Sequence, residues 1–306
     1  MTNAGFHAPV LLEEVVRCLA PERGGLFFDG TVGAGGHAEA ILERGPAARV
    51  MGVDRDEEAL SVARNRLQRF GARVRLERGN YADVAERLED VLAGALLDLG
   101  VSSHQLDEES RGFSFRRGVG LDMRMAGAHG MTAADLLNES SEAELARVFR
   151  EYGEERRSRR LASVIVRRRA ERPFRTSDDL VAAMHAALGD RVRARDKARV
   201  FQALRIAVND EMDALERGLP AIRDRLEAGG VFAVIAYHSL EDRRVKESFR
   251  AWSISCVCPP GFPVCVCGGK AQGELVERKA IVAGEAEVAL NPRARSARLR
   301  AWRKAA

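Results

Sequence analysis

The sequence predicts an α/β protein: a parallel sheet with helices on both faces, interrupted by an all-helical insertion. Three observations carry that expectation. Short β-like runs alternate with helical ones through the first hundred residues, the pattern of a parallel sheet covered by helices. The β-like runs then vanish between about residues 132 and 228. One returns at 231–236, directly after Gly229-Gly230, and a helical run follows it.

Taken in order, strands are expected at 26–29, 50–54, 73–77 and 95–99, with helices at 38–44, 56–70 and 82–92 between them. Cys18 stands alone in an N-terminal amphipathic stretch and reads as core. Inside the insertion, Ser141-x-x-Glu144 and Thr176-x-x-Asp179 have the form of capping boxes, the second with Asp in place of Glu. Helices are expected at 142–152, 154–171, 178–188 and 197–217, and after the returning strand at 241–249. The layout is therefore 1–107 as the first part of the α/β domain and 108–196 as an Arg-rich helical insertion. Residues 197–306 form the second part, with a Cys-rich hairpin and a basic C-terminal tail. There is no internal repeat and no low-complexity linker.

At 306 residues the chain has room for about two domains. With 46% hydrophobic and 31% charged residues it can build a sizeable core, which excludes wholesale disorder. No apolar run approaches the ~20 residues needed to cross a bilayer. The N-terminus lacks the basic and apolar regions of a secretory signal. Four of the five Cys crowd between 256 and 267, which is not a disulfide framework. A cytoplasmic globular protein is expected.

The net charge of +4 is unevenly spread. Between Arg147 and Arg205 there are 17 Arg and Lys against 8 Asp and Glu; from Asn291 onward there are 6 basic residues and no acidic one. The remainder carries −11. Positive charge gathered in this way suits an anionic partner, nucleic acid first. An arginine-rich solvated helix face would give the same count.

Four segments could carry chemistry. In Phe27-Phe28-Asp29-Gly30-Thr31-Val32-Gly33-Ala34-Gly35-Gly36-His37 a strand runs into a glycine-rich turn and a helix, which lets backbone approach a nucleotide-like ligand. Asp54 closes the second strand, where a carboxylate can grip a ribose. Gly33-x-Gly35-x-x-Ala38 also fits a relaxed dinucleotide fingerprint, so NAD is a competitor at this point. Leu96-Leu97-Asp98-Leu99-Gly100 puts a carboxylate at the carboxyl edge of the sheet. Methylation of an exocyclic base nitrogen needs such an acceptor: taking its N–H hydrogens helps to localise the lone pair for attack on a methyl sulfonium. Arg111-Gly112-Phe113-Ser114-Phe115 and Leu121-Asp122-Met123-Arg124-Met125 interleave Phe with Arg and could stack on an extruded base and clamp phosphates. A hydrophobic hinge would use the same residues. Finally, Cys256-x-Cys258 and Cys265-x-Cys267 flank a Pro/Gly turn and could hold a tetrahedral zinc, though a metal-free hairpin would place them alike.

Taken together, His7-x-Pro9-Val10-Leu11-Leu12-x-Glu14, the glycine turn, Asp98–Ser103, Arg111–Phe115, Leu121–Met125, Tyr152-Gly153-Glu154-Glu155, the Phe201–Asn209 block, His238-Ser239-Leu240-Glu241-Asp242-Arg243 and Asn291-Pro292-Arg293-x-Arg295-Ser296-Ala297 form one ordered pattern. It resembles the bacterial 16S rRNA (cytosine-N4)-methyltransferase family, also called the MraW family, over nearly the whole chain. The resemblance weighs against NAD. It implies a Rossmann-like class I S-adenosylmethionine-dependent methyltransferase sheet with a helical insertion. The implied reaction is methyl transfer to N4 of a P-site cytidine (cytosine 1402 in standard rRNA numbering) of 16S rRNA, within the assembled small ribosomal subunit.

Carried over by position, the resemblance implies that Gly33, Gly35, Gly36 and His37 cradle the cofactor's methionine end. Asp54 would bind the ribose and Tyr81 lie against the adenine, while Asp98 and Gln105 complete the pocket. RNA contacts fall to Arg111, Phe113, Phe115 and Arg124. Two departures stand out: His104 where the family has Pro, and Tyr237 where it has Phe, which adds a hydroxyl in need of a partner. Asp98 is the expected acceptor for an N4 hydrogen. His238 is expected either to accept a proton or orient the site, or simply to cap the helix that follows. A non-catalytic small-subunit assembly factor remains the competing reading from another class.

Overall fold

The computed structural model describes residues 9–101, 108–127, 130–256, 258 and 269–306. The chain divides into two compact units. One runs to Gly100 and resumes at Asp213; the other is Val101–Met212.

The first unit is built on β1 (Gly25–Asp29), β2 (Ala48–Asp54), β3 (Val74–Arg78), β4 (Leu92–Asp98) and β5 (Leu226–Ala236), all parallel to one another. Two further strands, β6 (Gly273–Leu275) and β7 (Arg298–Lys304), complete a Rossmann-like mixed sheet in the order β3-β2-β1-β4-β5-β7-β6, with β7 antiparallel to both its partners. Helix α1 (Leu12–Leu19) precedes β1, and α2 (Gly36–Arg44), α3 (Glu57–Leu67) and α4 (Tyr81–Arg87) fall between the early strands. β4 is apolar and buried along almost its whole length, as expected of a strand covered on both faces. In β5 the alternation separates Val231, Ala233 and Ile235, which join the core with α1 and α2, from Phe232. Phe232 packs on Phe249, which in turn meets Trp252 and Trp302. Winding reverses between β1 and β4, and open α/β sheets bind ligands outside the carboxyl ends of strands at such a reversal.

The second unit has its own core, formed by α5 (Ala133–Glu139), α6 (Glu142–Glu151), α7 (Ser158–Glu171), α8 (Ser177–Leu188) and α9 (Ala194–Val208). Thr176 and Asp179 close the expected capping box reciprocally; at Ser141 only half of it forms, the Oγ accepting from the Glu144 amide at 3.2 Å. Val200, Phe201, Ala203 and Leu204 of α9 lie in this core, so α9 counts with the helical unit, whereas the sequence reading began the returning α/β part at residue 197.

The helix expected at 197–217 is two helices, α9 and α10 (Glu211–Arg225). Asp210 adopts φ +50°, and Asn209 ends α9 with its amide group, which donates to the carbonyls of Arg205 and Met123 and accepts from the Met125 amide. Helices α11 (Ser239–Trp252) and α12 (Glu285–Leu290) complete the set.

The basic C-terminal tail is corrected: it is β7, inserted between β5 and β6. Leu299 and Ala301 bury one face of it and Trp302 the other, and the basic residues among them masked that signal in the sequence. Arg300 donates to Asp242 at 2.7 Å, and Lys304 Nζ donates to the carbonyls of Arg223, Asp224 and Leu226. Those charges serve the sheet. Among the described residues no helix is long and apolar enough to cross a membrane.

Candidate active site

Three aspartates end three adjacent strands. Asp29 closes β1, whose register sets it beside Gly52 of β2 and Leu96 of β4; two residues further along those strands come Asp54 and Asp98. The glycine turn follows Asp29. Gly33 and Gly35 take φ of +51° and +83°, which L side chains adopt only under strain. A Cβ on Gly36 would fall 2.3 Å from Pro9 Cγ. The turn is tied to the sheet edge by the Gly33 amide, which donates to Asp54 Oδ2 at 2.8 Å, and by the Thr31 amide, which donates to Asp29 Oδ1 at 3.2 Å. Thr31 Oγ1 accepts from the Asp98 amide at 2.6 Å, linking turn to β4.

Among the described residues, the one ion-pair partner within reach of the three carboxyl groups is the neutral His37, whose Nδ1 lies 3.8 Å from Asp98 Oδ2. Burial pushes Asp29 up to about 8; the Thr31 hydrogen bond works against that rise, and the charges of Asp98 and Asp54 add to it. Burial pushes Asp54 up to about 6 against the amide bonds from Asp56 and Gly33. Asp98 is pushed up to about 7 by burial, with the Tyr237 hydrogen bond opposing and Glu241 adding. His37 is buried, its Nε2 lies 3.0 Å from the Val10 carbonyl, and burial pushes it down to about 4. Among the described residues the sheet edge thus gathers three carboxyl groups that burial holds back from ionising, and a cationic ligand there would favour their charged forms.

Tyr81 begins α4 after the Asn80 cap, half-buried. Gly30 and Gly218 make room for it: a Cβ on either would come within 2.9 and 2.6 Å of its side chain. Beyond β5, the Tyr237 hydroxyl donates to Asp98 Oδ1 at 2.8 Å, which is the partner that the extra hydroxyl required. His238 caps α11: its Nδ1 accepts from the Glu241 amide at 3.4 Å, and its Nε2 lies 3.0 Å from Glu241 Oε1. Glu241 Oε2 in turn accepts from the Tyr237 amide at 2.8 Å.

The structure therefore gathers Gly33, Gly35, Gly36, His37, Asp54 and Asp98 along one sheet edge, with Tyr237 on Asp98. Gln105 lies outside the described residues. Two residues were not singled out in the sequence. Asp29 was visible only as the acid before Gly30. Thr31 gave no signal beyond its place in the turn.

The other expected residues sit in the helical unit or near the C-terminus. Arg111 donates to the backbone carbonyls of Arg124 and Met125, and Phe113 is buried in the helical core. Arg124 grips Asp122 through Nε and Nη2 at 2.8 and 2.6 Å. Phe115 is exposed and meets Phe201 edge-on, with centroids 5.8 Å apart. Cys256 is exposed and Cys258 half-buried, while Cys265 and Cys267 lie outside the described residues; among the described residues nothing supports the expected zinc.

Comparison with known proteins gives one consistent answer. A family model described as the MraW methylase family matches residues 4–305. The chain is 53% identical over 305 residues to the "Ribosomal RNA small subunit methyltransferase H" of Gemmatimonas aurantiaca, covering 98% of this chain and 96% of that one. The protein of the same name from Symbiobacterium thermophilum is 52% identical over 306 residues, covering 97% and 96%. That from a Geobacter species is 51% identical over 306 residues, covering 97% and 98%.

Proposed function

The chain belongs to the MraW methylase family, and from that premise we propose that it methylates 16S rRNA in the assembled small ribosomal subunit, moving a methyl group from S-adenosylmethionine to N4 of a P-site cytidine. The observation that carries the reading is the row of Asp29, Asp54 and Asp98, three carboxylates raised by burial beside a glycine turn. Such a row fits a ligand that brings a sulfonium and an ammonium. It fits a nicotinamide dinucleotide poorly, because a pyrophosphate would add charge of the same sign.

S-adenosylmethionine supplies a methyl group already activated on sulfur. The chain's part is binding and alignment. Gly33, Gly35, Gly36 and His37 hold the methionine end, Asp54 the ribose, Tyr81 the adenine, and Asp98 with Gln105 complete the pocket. Asp98 accepts a hydrogen bond from N4 and so directs the nitrogen lone pair, and as N4 gains the methyl group the same carboxylate takes the proton that N4 gives up. His238 has Nδ1 occupied by the Glu241 amide and Nε2 facing the Glu241 carboxylate, so its role is to orient the turn that carries Tyr237 rather than to take a proton. Phe115, exposed beside Phe201, is the residue offered to an extruded base, and Arg111, Phe113 and Arg124 hold the segment that presents it.

The test is transfer of isotopic label from S-adenosylmethionine to unmodified small subunits, followed by digestion and mass spectrometry of the nucleosides. Labelled N4-methylcytidine is expected. Label on another nucleoside overturns the target, and no label with binding intact favours the assembly-factor role.

A further inference from the structure

We infer that Tyr237 is a positioning residue for Asp98: its hydroxyl, donating to Oδ1 at 2.8 Å, fixes the rotation of the carboxylate and keeps it an acceptor. The inference rests on the proposed role of Asp98 and adds the residue that governs it.

The geometry around Asp98 leaves few ways to hold its carboxyl group. Its backbone is set by the amide bond to Thr31 Oγ1 at 2.6 Å. Its side chain meets Tyr237 on one side and His37 on the other, where Nδ1 lies 3.8 Å from Oδ2. These two neighbours favour different states. His37 Nε2 faces the Val10 carbonyl at 3.0 Å and must carry the ring's proton to bond it, so in the neutral ring Nδ1 presents a lone pair. A lone pair facing an ionised oxygen repels it, whereas a protonated Asp98 can turn and donate to Nδ1. The Tyr237 hydroxyl does the reverse, because a donor stabilises the ionised form. The titratable groups that bear on Asp98 are Asp29 from β1, His37 from α2, Tyr237 at the end of β5 and Glu241 from α11; of these Tyr237 is a donor to the carboxylate, and the two acids oppose its ionisation.

Tyr237 is itself held. Its amide donates to Glu241 Oε2 at 2.8 Å, and its ring lies against Gly100, where an added Cβ would sit 3.2 Å from Cδ2. Gly100 has φ +103°, so the strand end can pass close to the ring without a side chain in the way. The hydroxyl is delivered to Asp98 by packing that Tyr237→Phe would leave in place.

The test compares the chain with Tyr237→Phe in two ways. In ligand-free protein, the carboxyl carbon of Asp98 is titrated by NMR with carbon-13-labelled aspartate; the midpoint is expected to rise by about one unit when the donor is lost. In single-turnover methyl transfer to small subunits, the acid limb of the pH profile is expected to move up by the same amount. Replacing Tyr237 by 3-fluorotyrosine, a stronger donor on the same ring, should lower the midpoint instead. This guards against reading a packing defect as a lost hydrogen bond. A midpoint that stays put in both variants overturns the inference. If the midpoints move as stated but the unsubstituted chain transfers no methyl group, the role of Tyr237 stands and the functional reading fails.

Discussion

The carboxylates of the sheet edge and those of the helical unit are the same functional groups under opposite treatment. Asp29, Asp54 and Asp98 are pushed up by burial. In the helical unit, Asp135 is held below its ordinary value by the Thr132 hydroxyl and amide, and Asp196 by the Arg193 amide and three arginines. Burial works to raise Asp122 as well, but the hydrogen bonds and charge of Arg124 outweigh it. Where a carboxylate is capped or paired it stabilises the fold; where it is buried among its own kind it costs stability, and only a ligand can return that cost. The arginine-rich count of the insertion therefore describes in part a neutralised structure, and the functional charge lies in a region whose composition looks ordinary.

The comparison is broken most severely by Asp98→Ala, which should reduce methyl transfer to background in the labelled-subunit assay while the folded state survives. Next comes Asp54→Asn. Losing a charged acceptor for the Gly33 and Asp56 amides should weaken S-adenosylmethionine binding by about tenfold or more in calorimetry. In the helical unit, Arg169 donates to the carbonyls of Leu137 and Ser140 at 2.9 and 2.6 Å, closing the end of α5. Arg169→Ala should destabilise the protein by about 1–3 kcal/mol in denaturant unfolding and leave cofactor affinity unchanged.

Asp29→Asn sharpens the contrast through pH. The folded value of Asp29, about 8, lies above the unfolded value of about 3.9. The native state therefore keeps a proton that the unfolded chain has lost, and stability falls as pH rises through the folded value. His37, depressed to about 4, gives the opposite slope below its ordinary value of 6.5, so the decline is read above that. The melting temperature should drop between about pH 6.5 and 8 in the parent, and Asp29→Asn should flatten the drop and gain a few degrees at the alkaline end. The smallest effect belongs to exposed Arg167, whose change to Ala should leave both stability and cofactor binding unaltered within error.

Much of this was legible in the sequence. The parallel core strands, the glycine turn and Asp98 at the end of β4 all follow from apolar runs bounded by Gly and Asp. β7 was not, because six basic residues after Asn291 hide a strand whose apolar positions are only Leu299, Ala301 and Trp302. The break between α9 and α10 depends on a positive φ at Asp210, which no helical periodicity records. The contacts of Arg111 and Arg124 within the chain were equally closed to sequence reading: an arginine that donates to backbone carbonyls is spelled the same way as one that faces solvent. Asp29 belongs with these, since its significance lies in having Asp54 and Asp98 on the neighbouring strands, a fact of register.

The central claim is that the three buried carboxylates form the site for a cationic cofactor, and the most direct measurement is the pH dependence of binding. Calorimetric affinities for S-adenosylmethionine and S-adenosylhomocysteine, taken from about pH 5.5 to about pH 7.5, isolate the sulfonium charge that distinguishes them. The account predicts that S-adenosylmethionine tightens by up to about tenfold per pH unit as the carboxylates ionise, with protons released on binding below neutrality, while S-adenosylhomocysteine changes much less. Parallel curves for the two ligands, or affinity independent of pH for both, would contradict it.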